Sequence, residues 1–293
     1  MAFPPDVYLI GAAKAGTSTL ANLLDQHPRV LVSQPKEPHF FTLNWDRGLD
    51  WYASRFPNSD HSICIDASTT YSMAPLTGKE STWLDYHKYV GVPEKVYSMS
   101  PSAKFIYILR NPISRTYSAY WADIRGGNEN KGFRTSIREN PFYLDVSDYH
   151  GQLSVWLNSF PLERFFLVLF EDLTEAPEVV ARKCLRFLGV GEPAELHMAQ
   201  PLNTGYQGTW MGRGINRLVN SSLRNHPRMW DALVTLQSKT PESVRARFDK
   251  VRRGSKPIPA MKHEDREFLS EYFSDKNQAL ERLIGISLDR WQT

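Results

Sequence analysis

The sequence predicts an α/β fold: a parallel sheet flanked by helices, in a single domain that finishes in a helical segment. Three observations predict it. Short apolar runs of strand length alternate with helical stretches, the order that builds parallel sheets through crossover connections. The first run, Val7 to Ile10, passes through a glycine-bracketed turn directly into an apolar helix. With 293 residues and 41% hydrophobic content, the chain can bury a sizeable core.

The elements follow in order. After Val7 to Ile10, Leu20, Leu23 and Leu24 give an i, i+3, i+4 stripe, and His27-Pro28 ends that helix. Further strands are expected at Val30 to Ser33, Ile63 to Asp66, Phe105 to Leu109 and Phe165 to Phe170. Asn111-Pro112 caps a helix whose Tyr117, Tyr120, Trp121 and Ile124 share a face, and Tyr149, Leu153, Trp156 and Leu157 stripe another. Gly126 to Gly132 reads as a mobile loop near the site. A loop-rich region runs from Gly189 to about Gly214, and two helices, Glu264 to Phe273 and Lys276 to Ile284, close the chain. There is no internal repeat and no low-complexity tract.

Net charge is only +3, with Lys and Arg spread along the chain, so composition does not call for nucleic acid as a partner. Cys64 falls in a strand-like run and Cys184 in a helical one, which reads as core packing in a reducing compartment. The first residues carry no charged leader or apolar h-region, and no stretch approaches membrane-spanning length. A soluble, cytoplasmic protein is expected.

The chemistry concentrates in Gly11-Ala12-Ala13-Lys14-Ala15-Gly16-Thr17-Ser18-Thr19. A helix start exposes unpaired N–H groups and the positive end of the macrodipole, and small residues let an anion approach them. Ala13 to Thr19 is therefore the expected phosphate-binding segment, and the sheet is expected to be P-loop-like. The spacing Gly11-x4-Gly16 matches half of a Walker A loop, but Thr17 and Ser18 stand where Lys and Ser or Thr should follow. The lysine lies inside the turn, at Lys14. An ordinary strand-turn-helix with a solvated lysine is the alternative.

A second segment joins the first. Lys104-Phe-Ile-Tyr-Ile-Leu-Arg110-Asn-Pro-Ile-Ser-Arg-Thr-Tyr-Ser118 places an arginine at a strand end, eight residues before a helical serine. Together, Gly-x-x-Lys-x-Gly-Thr-Ser and this pattern resemble the 5′-phosphosulfate and 3′-phosphate motifs of sulfotransferases that use 3′-phosphoadenosine 5′-phosphosulfate (PAPS). Glu37-Pro-His39-Phe-Phe41, Glu94-Lys-Val-Tyr-Ser-Met-Ser-Pro101 and Trp156-Leu-Asn-Ser-Phe-Pro161 are similar to the heparan sulfate 3-O-sulfotransferase branch. The likeness runs from about Tyr8 to Leu188 and returns weakly near Glu271-Tyr-Phe273. It implies PAPS as donor, adenosine 3′,5′-bisphosphate as product and no metal, with a hydroxyl of a sugar or small molecule as acceptor.

On that resemblance Lys14 would assist departure of the phosphate, and Arg110 and Ser118 would hold the 3′-phosphate. A strand-end salt bridge is the alternative for Arg110. Glu37 matches the glutamate that acts as base in the branch, since an acceptor hydroxyl is a poor nucleophile until its proton is removed. His39 is a second base candidate, or a residue that orients Glu37. Arg252-Arg253-Gly254-Ser255-Lys256 loosely resembles the late basic loop over the 3′-phosphate, which brings in Arg253 and Gly254. Tyr206, in a Gly-flanked loop, is a candidate to stack on adenine. Phe40, Phe41, Trp45, Tyr71 and Trp121 are aromatic residues expected near the base. The chain departs from the branch at Thr42, where an acid stands after Phe-Phe, and at Ala67, where a lysine stands. Both departures fall on the acceptor side, which puts heparan sulfate in doubt as acceptor.

Two rival classes remain at this point. A P-loop kinase or NTPase is suggested by Phe165-Phe-Leu-Val-Leu-Phe170-Glu171-Asp172, which imitates a Walker B strand ending in acids, but lysine is missing at position 17. A polyanion-binding module without catalysis could use Arg245, Arg247 and Arg252 to Lys256, and would leave Glu37 without a role.

Overall fold

The computed structural model describes residues 3–57, 63–78, 85–191, 195–197 and 257–291. The expected strands form one five-stranded parallel sheet: β1 Val7–Gly11, β2 Val30–Val32, β3 Ile63–Asp66, β4 Lys104–Leu109 and β5 Phe165–Leu169. Their order is β2-β3-β1-β4-β5. β1 is central, with Val7 opposite both Ile65 of β3 and Lys104 of β4. Every residue of β1 is buried, because helices cover both faces, and its sequence is accordingly a continuous apolar run rather than an alternating one.

After β1 the chain builds outward to one side, and after β3 it crosses to the other. The switch falls at β1, so the carboxyl ends of β1, β3 and β4 frame a crevice of the kind where open α/β sheets bind ligands. The loop Ala13 to Thr19 follows the end of β1, Arg110 the end of β4, and Glu37 and His39 the end of β2. Helix α1, Thr17–Leu24, follows β1 and buries Leu20, Leu23 and Leu24, as its stripe requires. The short helices α2 Gly48–Ala53 and α3 Val92–Met99 come next. Helix α4, Pro112–Gly126, begins as read: Asn111 Oδ1 accepts from the N–H groups of Ile113 and Ser114 at 3.0 and 3.1 Å. α4 runs through Gly126, so the glycine-rich loop starts at Gly127, one residue later than expected.

Helices α5 Phe133–Glu139 and α6 Phe142–Asp145 pack with α4 in a second apolar cluster. Then come α7 Tyr149–Leu157, α8 Phe170–Glu175 and α9 Pro177–Leu188. β5 ends at Leu169, one residue short of the expected limit, and Phe170 opens α8. The two expected closing helices are one, His263–Ile284. Leu269, Phe273 and Leu280 make a single buried stripe across Ser274-Asp275, and Lys276 pairs with Asp148 at 2.5 Å, so neither packing nor charge favours a break there. Cys64 and Cys184 are free and buried. Among the described residues no helix is long and apolar enough to cross a membrane.

Candidate active site

The turn after β1 is built by its backbone. Ala12 N–H donates to Ile108 O of β4 at 2.9 Å, and Ala15 N–H to Ala12 O at 3.1 Å. Lys14 and Gly16 take positive φ of 73° and 82°. Glycine suits that conformation at 16, where an added Cβ would also lie 3.0 Å from Leu173 of α8. Gly16 is the N-cap of α1. No side chain caps this helix and no acid stands in its first turn, so its positive end remains open to an anion.

Arg110 follows β4, and its Nη1 donates to Lys14 O at 2.7 Å while its guanidinium lies 4.6 Å above the Phe170 ring. Its own N–H donates to the Tyr149 hydroxyl at 3.3 Å. Ser118 stands on α4, eight residues on and half-buried. Burial pushes the Lys14 ammonium below its ordinary pKa, and the positive charges of Arg125, Arg110 and Arg115 push the same way against Asp123. Burial likewise lowers Arg110. This crowding of partly desolvated cations is costly unless an anion lies among them.

Glu37 and His39 lie in the loop after β2. Glu37 Oε1 accepts from Lys36 Nζ at 2.9 Å and Oε2 from Thr69 Oγ1 at 3.0 Å, while His39 Nε2 lies 3.5 Å from Oε2. Lys36 Nζ also donates to Thr17 Oγ1 at 3.2 Å, which carries the loop across to the first residue of α1. Burial acts to raise the Glu37 pKa, but Lys36, His39 and the hydrogen bonds from Lys36 and Thr69 outweigh it, and the net shift is downward. Glu37 is therefore an ionised acceptor at neutral pH. Burial lowers the His39 pKa against the opposing pull of Glu37. The other ring nitrogen, Nδ1, lies 3.0 Å from Thr70 Oγ1.

A buried carboxylate supports this loop from beneath. Asp66, at the end of β3, accepts from Tyr52 OH at 2.7 Å and from Ser68 Oγ and Tyr71 OH at 2.6 Å each. Ser68 Oγ in turn accepts from the His39 N–H at 2.8 Å. Burial raises the Asp66 pKa to about 6, against these three hydrogen bonds.

Some expected neighbours of the base lie elsewhere. Phe40, Phe41 and Tyr71 are core residues, stacked among Tyr8, Tyr52 and one another, because an aromatic pair behind a loop reaches inward to the sheet. Trp45 is exposed and Trp121 half-buried. Glu171 and Asp172 stand on α8 rather than on a strand; Trp291 Nε1 donates to Glu171 at 3.3 Å and Arg290 pairs with Asp172 at 2.7 Å. The Walker B likeness thus has no counterpart in the fold. Tyr206, Arg245, Arg247, Arg253, Gly254 and the rest of the basic loop lie outside the described residues.

A family model described as "Sulfotransferase domain" matches residues 4–281. The chain belongs to the sulfotransferase family. The parallel sheet, the loop after β1 and the arginine after β4 are thereby features of a sulfotransferase domain rather than of a kinase. Among its relatives, human heparan sulfate glucosamine 3-O-sulfotransferase 6 is 29% identical over 242 residues, which is 78% of this chain and 66% of that protein. Mouse heparan sulfate glucosamine 3-O-sulfotransferase 5 is 30% identical over 188 residues, 59% of this chain and 50% of that protein. The chain thus spans between a half and about two thirds of the length of these relatives. A solved sulfotransferase from Alicyclobacillus acidocaldarius shares the fold, with a TM-score of 0.67, 23% identity and 99% of each chain covered.

Sequence reasoning missed Lys36, Thr69 and Thr70 as parts of this candidate site. Lys36 is adjacent to Glu37 between Pro35 and Pro38, the sole local signal. The threonines carry none, since their role depends on β3 ending opposite the loop after β2.

Proposed function

We propose that this chain transfers the sulfuryl group of PAPS to an acceptor hydroxyl. The observation that carries the reading is the chain of contacts Glu37 Oε1 to Lys36 Nζ to Thr17 Oγ1, at 2.9 and 3.2 Å, which sets an ionised carboxylate within one side chain of a helix start. The residues fit an anionic donor: the cations around Lys14 are crowded and partly desolvated, and α1 has no side-chain cap.

PAPS supplies an electrophilic sulfur with a nucleotide phosphate as leaving group. The loop Ala13 to Thr19 receives the 5′ end, and Arg110 with Ser118 receives the 3′-phosphate. Glu37 takes the proton of the acceptor hydroxyl as its oxygen forms the new bond to sulfur. Lys14 stabilises the negative charge left on the phosphate oxygen as the old sulfur–oxygen bond breaks. His39 positions Glu37 through the 3.5 Å contact. The acceptor class is a hydroxyl on a sugar or small molecule. Thr42 and Ala67 are both buried, so the acceptor side of this chain differs in charge from the branch it resembles.

The reading assigns no step to a metal, and sulfate transfer from PAPS in excess EDTA tests it. Transfer to one member of an acceptor panel, read by mass spectrometry as the gain of a single sulfuryl group, is expected to persist. Activity abolished by chelation and restored by Mg²⁺ would overturn the mechanism.

A further inference from the structure

Lys36 has no part in the mechanism so far, yet it is the residue that touches both halves of the site. Its ammonium is 2.9 Å from Glu37 Oε1 and 3.2 Å from Thr17 Oγ1, with the side chain 22% exposed. Held there, it lowers the pKa of the carboxylate that must accept a proton, which weakens that carboxylate as a base. Its second partner is a neutral hydroxyl, a poorer acceptor for an ammonium than any anion. Thr17 is the first residue of α1, beside the open helix terminus. Lys36 is the only Lys or Arg between Val32 and Trp45, so it is the cation this loop sets beside a group lying between that terminus and Glu37. β3 offers no substitute: the segment Asp66 to Ser72 contains neither Lys nor Arg, and position 67 is a fully buried alanine.

We infer that Lys36 is a second catalytic cation, which binds the non-bridging oxygens of the sulfuryl group during transfer. The inference rests on the donor reading above. In this arrangement Lys14 serves the phosphate being left and Lys36 the group being moved. On donor binding, the Lys36 ammonium exchanges Thr17 Oγ1 for a sulfuryl oxygen. The same exchange slackens its hold on Glu37, so the base strengthens when there is a sulfur to attack. No bond to Lys36 forms or breaks, and its protons stay on nitrogen.

The product, adenosine 3′,5′-bisphosphate, keeps the nucleotide but lacks the sulfuryl group, and this allows a test by binding alone. Calorimetry is run with PAPS and with adenosine 3′,5′-bisphosphate on the wild type, Lys36→Met and Lys36→Arg. Removing a charge-assisted hydrogen bond to a ligand lowers its affinity by about ten- to a hundredfold. Lys36→Met is expected to weaken PAPS by that much and the bisphosphate hardly at all, and Lys36→Arg to keep most of the preference. Equal losses for both nucleotides, or no loss for either, would overturn the role of Lys36 while leaving the donor reading in place. A wild type that binds neither nucleotide would remove the donor reading and this inference with it.

Discussion

Arg110 Nη1 and the main-chain oxygen of Lys14 are 2.7 Å apart, so the arginine that follows β4 holds the turn that follows β1. A guanidinium has five donors in a fixed fork, and one of them is spent on the protein itself. Arg110 is thus placed by three fixed contacts: this carbonyl, the ring of Phe170 beneath it and the hydroxyl of Tyr149.

Arg110→Ala is expected to lower the affinity for PAPS by about ten- to a hundredfold and to lower that for adenosine 5′-phosphosulfate, which lacks the 3′-phosphate, much less. The ratio matters more than either value, because loosening the Lys14 turn affects both ligands. Calorimetry on the two nucleotides reads it. A variant that still separates them as well as the wild type has its 3′-phosphate held by other residues.

Glu37→Gln keeps the shape of the side chain and removes the base. Turnover should fall by roughly two to four orders of magnitude with PAPS affinity nearly unchanged, whereas Lys14→Ala should weaken both. The pKa of Glu37 is shifted down, so the rising limb of kcat/KM belongs at or below the ordinary carboxylate value of about 4, with a plateau through neutrality. A limb above the carboxylate range, at the imidazole value that burial holds below its ordinary one, together with a His39→Ala variant that loses the activity Glu37→Gln retains, would move the proton to the imidazole.

Asp66 gives a stability prediction of opposite sign to that of most carboxylates. Its folded pKa is raised to about 6, so the folded state binds this proton more tightly than the unfolded chain does. The stabilisation is complete below the unfolded value of about 4 and disappears as pH rises through about 6. Asp66→Asn should remove this component. The difference in melting temperature between the wild type and the variant should therefore change across pH 4 to 6, in favour of the wild type at the acid end; a constant difference would show that Asp66 does not titrate there.

Gly11→Ala should destabilise the domain, because the added Cβ would lie 2.1 Å from Ser72 Oγ, a fully buried atom, and 3.2 Å from the ring of Tyr107. Overpacking of this kind costs typically 1–3 kcal/mol. Pairing it with Ser72→Gly should recover part of the loss in denaturant unfolding, and an equal loss in the double variant would place the strain elsewhere.

The strands and the local form of the two segments proposed to bind phosphate were legible because parallel strands covered on both faces read as unbroken apolar runs, and because the spacing from Arg110 to Ser118 is local. The working contacts of Glu37 were not, since Lys36, Thr69 and Thr17 come together only when three strand ends meet. The late helix read as two because Ser274-Asp275 looks like a break locally. Its continuity depends on Asp148, 128 residues away from Lys276. Phe40 and Phe41 misled for the same reason: adjacency to Glu37 says nothing about which way a ring turns.

Asn111 caps α4 with its side-chain oxygen and with its amide nitrogen donates to Trp291 O at 2.9 Å. The residue after Arg110 is thereby stitched to Trp291, so a cut in the chain between Ile284 and Trp291 would release the start of α4 beside the strand-end crevice. β1, by contrast, begins at the opposite end of the sheet, next to Ser100, whose hydroxyl donates to Pro5 O at 3.0 Å. The strand ends that frame the crevice and the strand starts opposite them are thus fixed by separate contacts, one to Trp291 and one to Pro5.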